Sequence, residues 1–294
     1  SGWSGYVTGL LLSAGIDPGH ALTSVPADGG IINLPAICIT LLLSFFLIRG
    51  TQESSKINRI LVFVKLAAVF IFLLLAGPQV NTANWEPFMP FGMQGIAAGA
   101  AIVFFAYIGF DAVATTAEEC KNPARDLPIG IIGSLIICTL LYVVVAGVLT
   151  GIVPYTELNS PEPVAYALRY IGYNLGSALV GVGAIAGITT VLLVLLYGQA
   201  RIFFAMSRDG MVPANVCKIH KRYHTPYIVT VLGAVFVSCI AGFAPIGVIA
   251  EMANIGTLSA FTVAAIGVMV LRVTKPDIPR RSFPAIRLPP AESR

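Results

Sequence analysis

The chain has 294 residues, of which 56% are hydrophobic and only 11% charged, with a mean hydropathy of +0.85. Soluble domains carry about 25% charged residues, so a soluble enzyme or binding module is excluded and a membrane protein is read instead. The formal net charge of +4 belongs to basic residues gathered in alternate loops, so it is no argument for a nucleic-acid partner.

A bilayer core of about 30 Å takes roughly 20 apolar residues per helix, and about seven such windows run along the chain. Before them, SGWSGYVTGLLLSAGI (1–16) is partly apolar and rich in small residues, as at the tail of a further span. The front has no initiator methionine, basic n-region or cleavage site. The far end, PDIPRRSFPAIRLPPAESR, is basic and proline-rich. Both ends read as the interior of a longer protein.

The first full window, 31–48, ends at the basic loop of Arg49, Lys56 and Arg59. The second, 57–76, contains Lys65 in INRILVFVKLAAVFIFLLLAG. That places the ammonium group about eight residues, or roughly 12 Å, into the span. A lysine at the bilayer centre costs at least about 2.5 kcal/mol. It therefore either points into a wet cytoplasmic vestibule or serves as a fixed or titrating charge in place of a coupling cation.

The third window, 93–117, contains FFAYIGFDAVATTAEEC, with Gly109 followed two residues later by Asp111. Glycine costs a helix interior about 1 kcal/mol relative to alanine, and here the aromatics Phe104, Phe105, Tyr107 and Phe110 surround it. One reading is an unbroken helix with a packing notch. The other is a broken helix, whose unpaired backbone groups are tolerable at membrane depth only where they line a cavity or bind something. Carbonyls freed between Phe104 and Ile108 would accept hydrogen bonds from an ammonium group. Asp111 is either a helix-end carboxylate in a wet vestibule or part of a proton relay or inner gate.

The fourth window is 129–152, followed by the long loop VPYTELNSPEPVAYALRYIGYN, whose amphipathic piece suits a lid over an outer vestibule or a plain surface loop. In the fifth, 178–200, Gly181, Gly183 and Gly187, with Gly176 just before them, are spaced for close helix packing. The stretch from Thr189 to Leu195 offers no charge, so what it faces is neutral. Windows six and seven are 227–244 and 248–271. Glu251 lies in the first turn of the seventh, where a carboxylate suits the helix dipole. A basic segment, 272–294, follows.

Lysine and arginine mark the cytoplasmic loops. They cluster after the first, third, fifth and seventh windows, and the alternate loops carry Asp17, Asp28, Glu86, Glu157 and Glu162 with Arg169 as their only base. The five cysteines form no CxxC pair, the three histidines lack metal-ligand spacing, and there is no Walker-type phosphate loop. No metal, cofactor or bound ATP is called for.

Three stretches together, FFAYIGFDAVATTAEECKNPARDLPIG, VFVKLAAVFIF and GQARIFFAMSRDGMVP, resemble the cationic amino acid transporter branch of the amino acid/polyamine/organocation superfamily. The resemblance runs over essentially the whole chain. It implies an all-α membrane fold of two inverted five-helix repeats, the first helix of each broken at the substrate site. On this reading residues 1–271 form one transmembrane domain, from the end of the family's third helix to its tenth. The second repeat, 93–271, is complete, the first is partial, and 272–294 is cytoplasmic. The first broken helix, which holds the substrate carboxylate, is not in this sequence.

Carried over residue by residue, the resemblance makes Phe105 an aromatic gate. It makes the carbonyls around Phe104, Ala106 and Ile108, beside Gly109, a cradle for the substrate amine. Thr190 and Leu195 would face the substrate side chain. Lys65 would replace the sodium ion of sodium-coupled relatives, which with Asp111 implies proton coupling. Because Leu195 is apolar, the resemblance favours symport of small neutral amino acids over arginine or lysine. The implied setting is a cell membrane, plasma or bacterial inner, with substrate, protons and lipid as partners. An intramembrane aspartyl enzyme is the rival class, but it needs two carboxylates in one site and the spans supply only Asp111. A transport-inactive accessory protein is the other.

Overall fold

Among the described residues, an apolar helix lies in each of the seven windows read from the sequence. The computed structural model describes residues 2–49, 54–110, 122–213, 218–220, 223 and 225–275. Among these all regular structure is helical. Helices α1 (Gly2–Ser13) and α2 (His20–Thr23) lead to α3 (Leu34–Ile48), α4 (Ser54–Ala76) and α5 (Gly92–Val103). Then come α6 (Pro123–Ile152), the short α7 (Pro163–Tyr170), α8 (Asn174–Arg208), α9 (Tyr227–Phe243) and α10 (Ile246–Thr274). Four stretches, Ile60–Gln79, Arg125–Ile152, Asn174–Arg208 and Ile246–Thr274, are long and apolar enough to cross a membrane by length and composition. The stretches Leu34–Ile48, Gly92–Tyr107 and Tyr227–Phe243 are shorter apolar helices. The chain is a multi-pass membrane protein, and the partly apolar stretch before the first window holds α1.

Helix boundaries follow local chemistry. Helix α3 starts three residues inside its window because the Asn33 side chain accepts from the Ala36 amide at 3.2 Å, and Pro35 follows within the first turn. Helix α9 starts directly after Pro226 and α10 directly after Pro245. Helix α8 runs for 35 residues, about 52 Å at 1.5 Å per residue, and so extends well beyond its apolar window.

The glycines of α8 set its packing on α4. A Cβ at Gly176 would lie 2.7 Å from Leu75, one at Gly183 2.2 Å from the Ala68 Cβ, and one at Gly187 3.2 Å from the Lys65 Cβ. As the glycine numbers rise the partner numbers fall, so the two helices run antiparallel with their backbones in close approach. Without a hydrophobic drive between helices in lipid, this shape fit carries association.

Helices α3 and α9 are tied at both ends. The Asn33 amide donates to the Gly242 carbonyl at 3.0 Å, and the Thr225 hydroxyl donates to the last carbonyl of α3, Ile48, at 2.7 Å. Between α4, α6, α7 and α8 lies an apolar core of Phe72, Ala76, Val153, Ala167, Leu168 and Val180. The amphipathic piece of the long loop is α7. Its apolar side is fully buried at Ala167 and Leu168, so this helix is anchored in the core.

Candidate substrate and coupling site

The run from Gly92 begins as an ordinary helix and stops being one at Val103. Residues Phe104–Tyr107 form a tighter 3-10 turn, Ile108 is extended in ψ (φ −59°, ψ 133°), and Gly109 takes φ 121°. Helical backbone resumes at Phe110. Of the two readings the sequence left open, the broken helix is the one present. Among the described residues no atom lies within 4 Å of a Cβ built on Gly109, and its φ of 121° is one that glycine adopts readily.

The carbonyls at the break are not all free. That of Phe105 accepts the Ile108 amide at 3.3 Å. That of Ala106 accepts the hydroxyl of Tyr142, from α6, at 3.1 Å. The Tyr142 ring also stands edge-on to Tyr107, with centroids 5.4 Å apart. Phe105 is 40% exposed, its ring outside the packed core. Asp111 and its neighbours Glu118, Glu119 and Lys121 lie outside the described residues.

Lys65 is half-buried on α4, its stem against Gly187 of α8. It lines a cavity of about 320 Å³ with Tyr6, Ala68, Phe72, Val145 and Ile188, an almost wholly apolar wall. Among the described residues no carboxylate pairs with it. Thr190, one turn from Gly187, is buried, and its hydroxyl donates back to the Gly187 carbonyl at 2.6 Å. Leu195 is five residues further along, about 140° around the helix, and 48% exposed. The structure thus brings Lys65 beside the Gly187–Thr190 turn and leaves Leu195 on another face.

Among the described residues, none of those lining the Lys65 cavity comes from the broken helix. The link between the two halves is α6. Val145 lines the cavity, and Tyr142, three residues before it on the same side of the helix, holds Ala106. Sequence reasoning missed Tyr142. Its signal was a polar-tipped aromatic within an apolar run, CTLLYVVVAG, where a hydroxyl set among apolar neighbours needs a partner.

A second cavity, of about 370 Å³, opens between α1, α7 and α8. Here Arg169 pairs with Glu162 and donates to the Ser177 hydroxyl at 3.2 Å, while Ser177 donates to the Ala165 carbonyl at 2.9 Å. The lone base among the acidic loops is thereby accounted for. It pins α7 onto α8.

The amino acid permease family model matches residues 5–291. The chain is 46% identical over 280 residues to the methylthioribose transporter of Bacillus subtilis (strain 168), covering 95% of this chain and 61% of that protein. It is 44% identical over 284 residues to the branched-chain amino acid permease of the same organism, again 95% and 61%. The chloroplastic cationic amino acid transporter 9 of Arabidopsis thaliana is 40% identical over 247 residues, 83% of this chain and 43% of that protein. The chain therefore spans less than two thirds of the length of these relatives. With a match across nearly its whole length, and with the helical fold that goes with it, the chain belongs to the amino acid permease family of the amino acid/polyamine/organocation superfamily, whose members are transporters and not enzymes.

Proposed function

We propose that this chain works in secondary active transport of small neutral amino acids across a cell membrane, coupled to protons and proceeding by alternating access. Residues 1–271 form its transmembrane domain, with 93–271 as the second of two inverted five-helix repeats. The observation that carries this reading is the break at Phe104–Gly109, where the backbone leaves the regular helical ladder within an apolar run, beside the exposed ring of Phe105. Carbonyls of Phe104, Ala106 and Ile108 receive the substrate ammonium group, and Phe105 closes over it. Lys65, a cation facing an apolar cavity, stands where a coupling cation would otherwise sit, and Asp111 completes the proton path. Of the two residues on α8, the neutral, apolar Leu195 bounds the side-chain end, while Thr190 lies on the Lys65 side of that helix.

One observation favours a second substrate class. The 46% identity to a methylthioribose transporter slightly exceeds the 44% to a branched-chain amino acid permease. A thio-sugar has no ammonium group for the carbonyl cradle, so the two classes separate by chemistry. The test is uptake of labelled alanine, leucine, arginine and methylthioribose into proteoliposomes of the full-length protein, with and without an inward proton gradient. Gradient-driven uptake of alanine or leucine supports the proposal. Uptake of methylthioribose alone, or uptake indifferent to the gradient, overturns it.

A further inference from the structure

Asn254, on α10, is a polar side chain that the transport reading leaves without a task. It is only 8% exposed. Its amide nitrogen donates to the Ala101 carbonyl of α5 at 2.9 Å, 153 residues away in sequence. Its amide oxygen is buried and has no hydrogen-bond partner among the described residues. A buried amide with half its capacity unused is costly in an apolar helix, so the half that is used needs a reason.

Ala101 supplies one. It lies in the last turn of α5, where carbonyls lose their regular intrahelical donors, and the 3-10 turn that follows satisfies them with poorer geometry. Asn254 brings a donor to that junction. Seven residues later, two turns and about 10.5 Å along the same side of α10, the Phe261 ring meets Phe110 with centroids 5.3 Å apart. Phe110 is where helical backbone resumes after Gly109. One straight helix therefore holds the broken one on both sides of its break.

We propose that α10 is a splint for the broken helix, with Asn254 as a positioning residue that fixes the segment before the break and Phe261 fixing the segment after it. Held at Ala101 and at Phe110, residues 104–109 are kept in one fixed conformation, and their carbonyls stay presented. The role is carried by the donor half of Asn254. The transport consequence rests on the carbonyl cradle proposed above, whereas the mechanical claim does not.

The experiment is hydrogen–deuterium exchange on the full-length protein and its Asn254→Leu, Asn254→Gln and Phe261→Ala variants, read on peptides covering 101–110, with α8 as the control for global folding. For Asn254→Leu the expected result is exchange about 5-fold or more faster across 101–107, the loss of one hydrogen bond of about 1 kcal/mol, with α8 unchanged. Phe261→Ala quickens exchange at 108–110, and Asn254→Gln, which retains the donor, stays within about 2-fold of the parent. In uptake assays Asn254→Leu raises KM for the transported substrate more than it lowers kcat. Unchanged exchange over 101–110 in Asn254→Leu, or equal acceleration in α8, overturns the splint. If the parent carries no amino acid, the exchange result still decides for or against the splint, while the proposed function alone fails.

Discussion

The Tyr142 hydroxyl donates to the Ala106 carbonyl at 3.1 Å, three residues before Val145 enters the wall of the Lys65 cavity. Through this pair α6 connects the broken helix to the chamber of the membrane lysine. Tyr142→Phe removes one hydrogen bond without removing the ring that packs on Tyr107. A neutral hydrogen bond contributes about 0.5–1.5 kcal/mol, so KM is expected to rise by about 2- to 10-fold with little change in thermal stability. Uptake kinetics and a melting curve on the same preparation check both halves of that statement.

Gly109 tests whether conformation or space is the constraint. Gly109→Ala meets no neighbouring atom among the described residues, yet forces a φ of 121° on an L side chain, at a cost of about 1–3 kcal/mol. Transport should fall by 10-fold or more. Gly133→Ala, in the middle of α6 and equally uncrowded, should be neutral or stabilising by up to about 1 kcal/mol. Equal tolerance at the two positions would mean that the break does not depend on the glycine.

The contact of α8 with α4 predicts a compensating pair. Gly183→Ala places a methyl group 2.2 Å from the Ala68 Cβ and should destabilise by about 1–3 kcal/mol through overpacking. Ala68→Gly in the same chain vacates that space. A double-mutant cycle on melting temperature should recover most of the loss, since contacting residues couple.

The Arg169–Glu162 pair holds α7 over α8. Arg169→Gln removes a charge-assisted bond from a partly buried carboxylate and also takes the guanidinium donor from Ser177, whose own bond to the Ala165 carbonyl remains, for a loss on the order of 1–3 kcal/mol. Exchanging the two, Glu162→Arg with Arg169→Glu, should restore only part of it. Glu162 also sits against Gly9 of α1, where a Cβ would collide with its carboxylate, and an arginine would not fit there.

Much of this was legible in the sequence. The windows were visible because lipid imposes one requirement on every span, and those at 227 and 248 met the helix starts at Tyr227 and Ile246 to within two residues. The glycines of α8 announced a close neighbour, although only the structure identifies Ala68 and Lys65 as what fills the notches. The broken helix was one of two readings because a glycine beside aromatics fits a notch as well as a break, and only φ distinguishes them. The partners of Tyr142 and Asn254 were invisible for a different reason. Each of these side chains acts on a backbone carbonyl of another helix, and a carbonyl leaves no mark in the sequence. The same blindness applied to α7, which the sequence left as a lid or a surface loop. Its role was decided by the partners that Ala167 and Leu168 found in the core.

The central claim is that a lysine in an apolar chamber couples a proton gradient to movement of substrate across the broken helix. It is tested most directly by uptake into proteoliposomes of the full-length protein and its Lys65→Ala variant, each measured with and without an inward proton gradient. The account predicts uptake accelerated by the gradient in the parent and a variant that binds substrate but loses the acceleration. A variant that responds to the gradient as the parent does would contradict it.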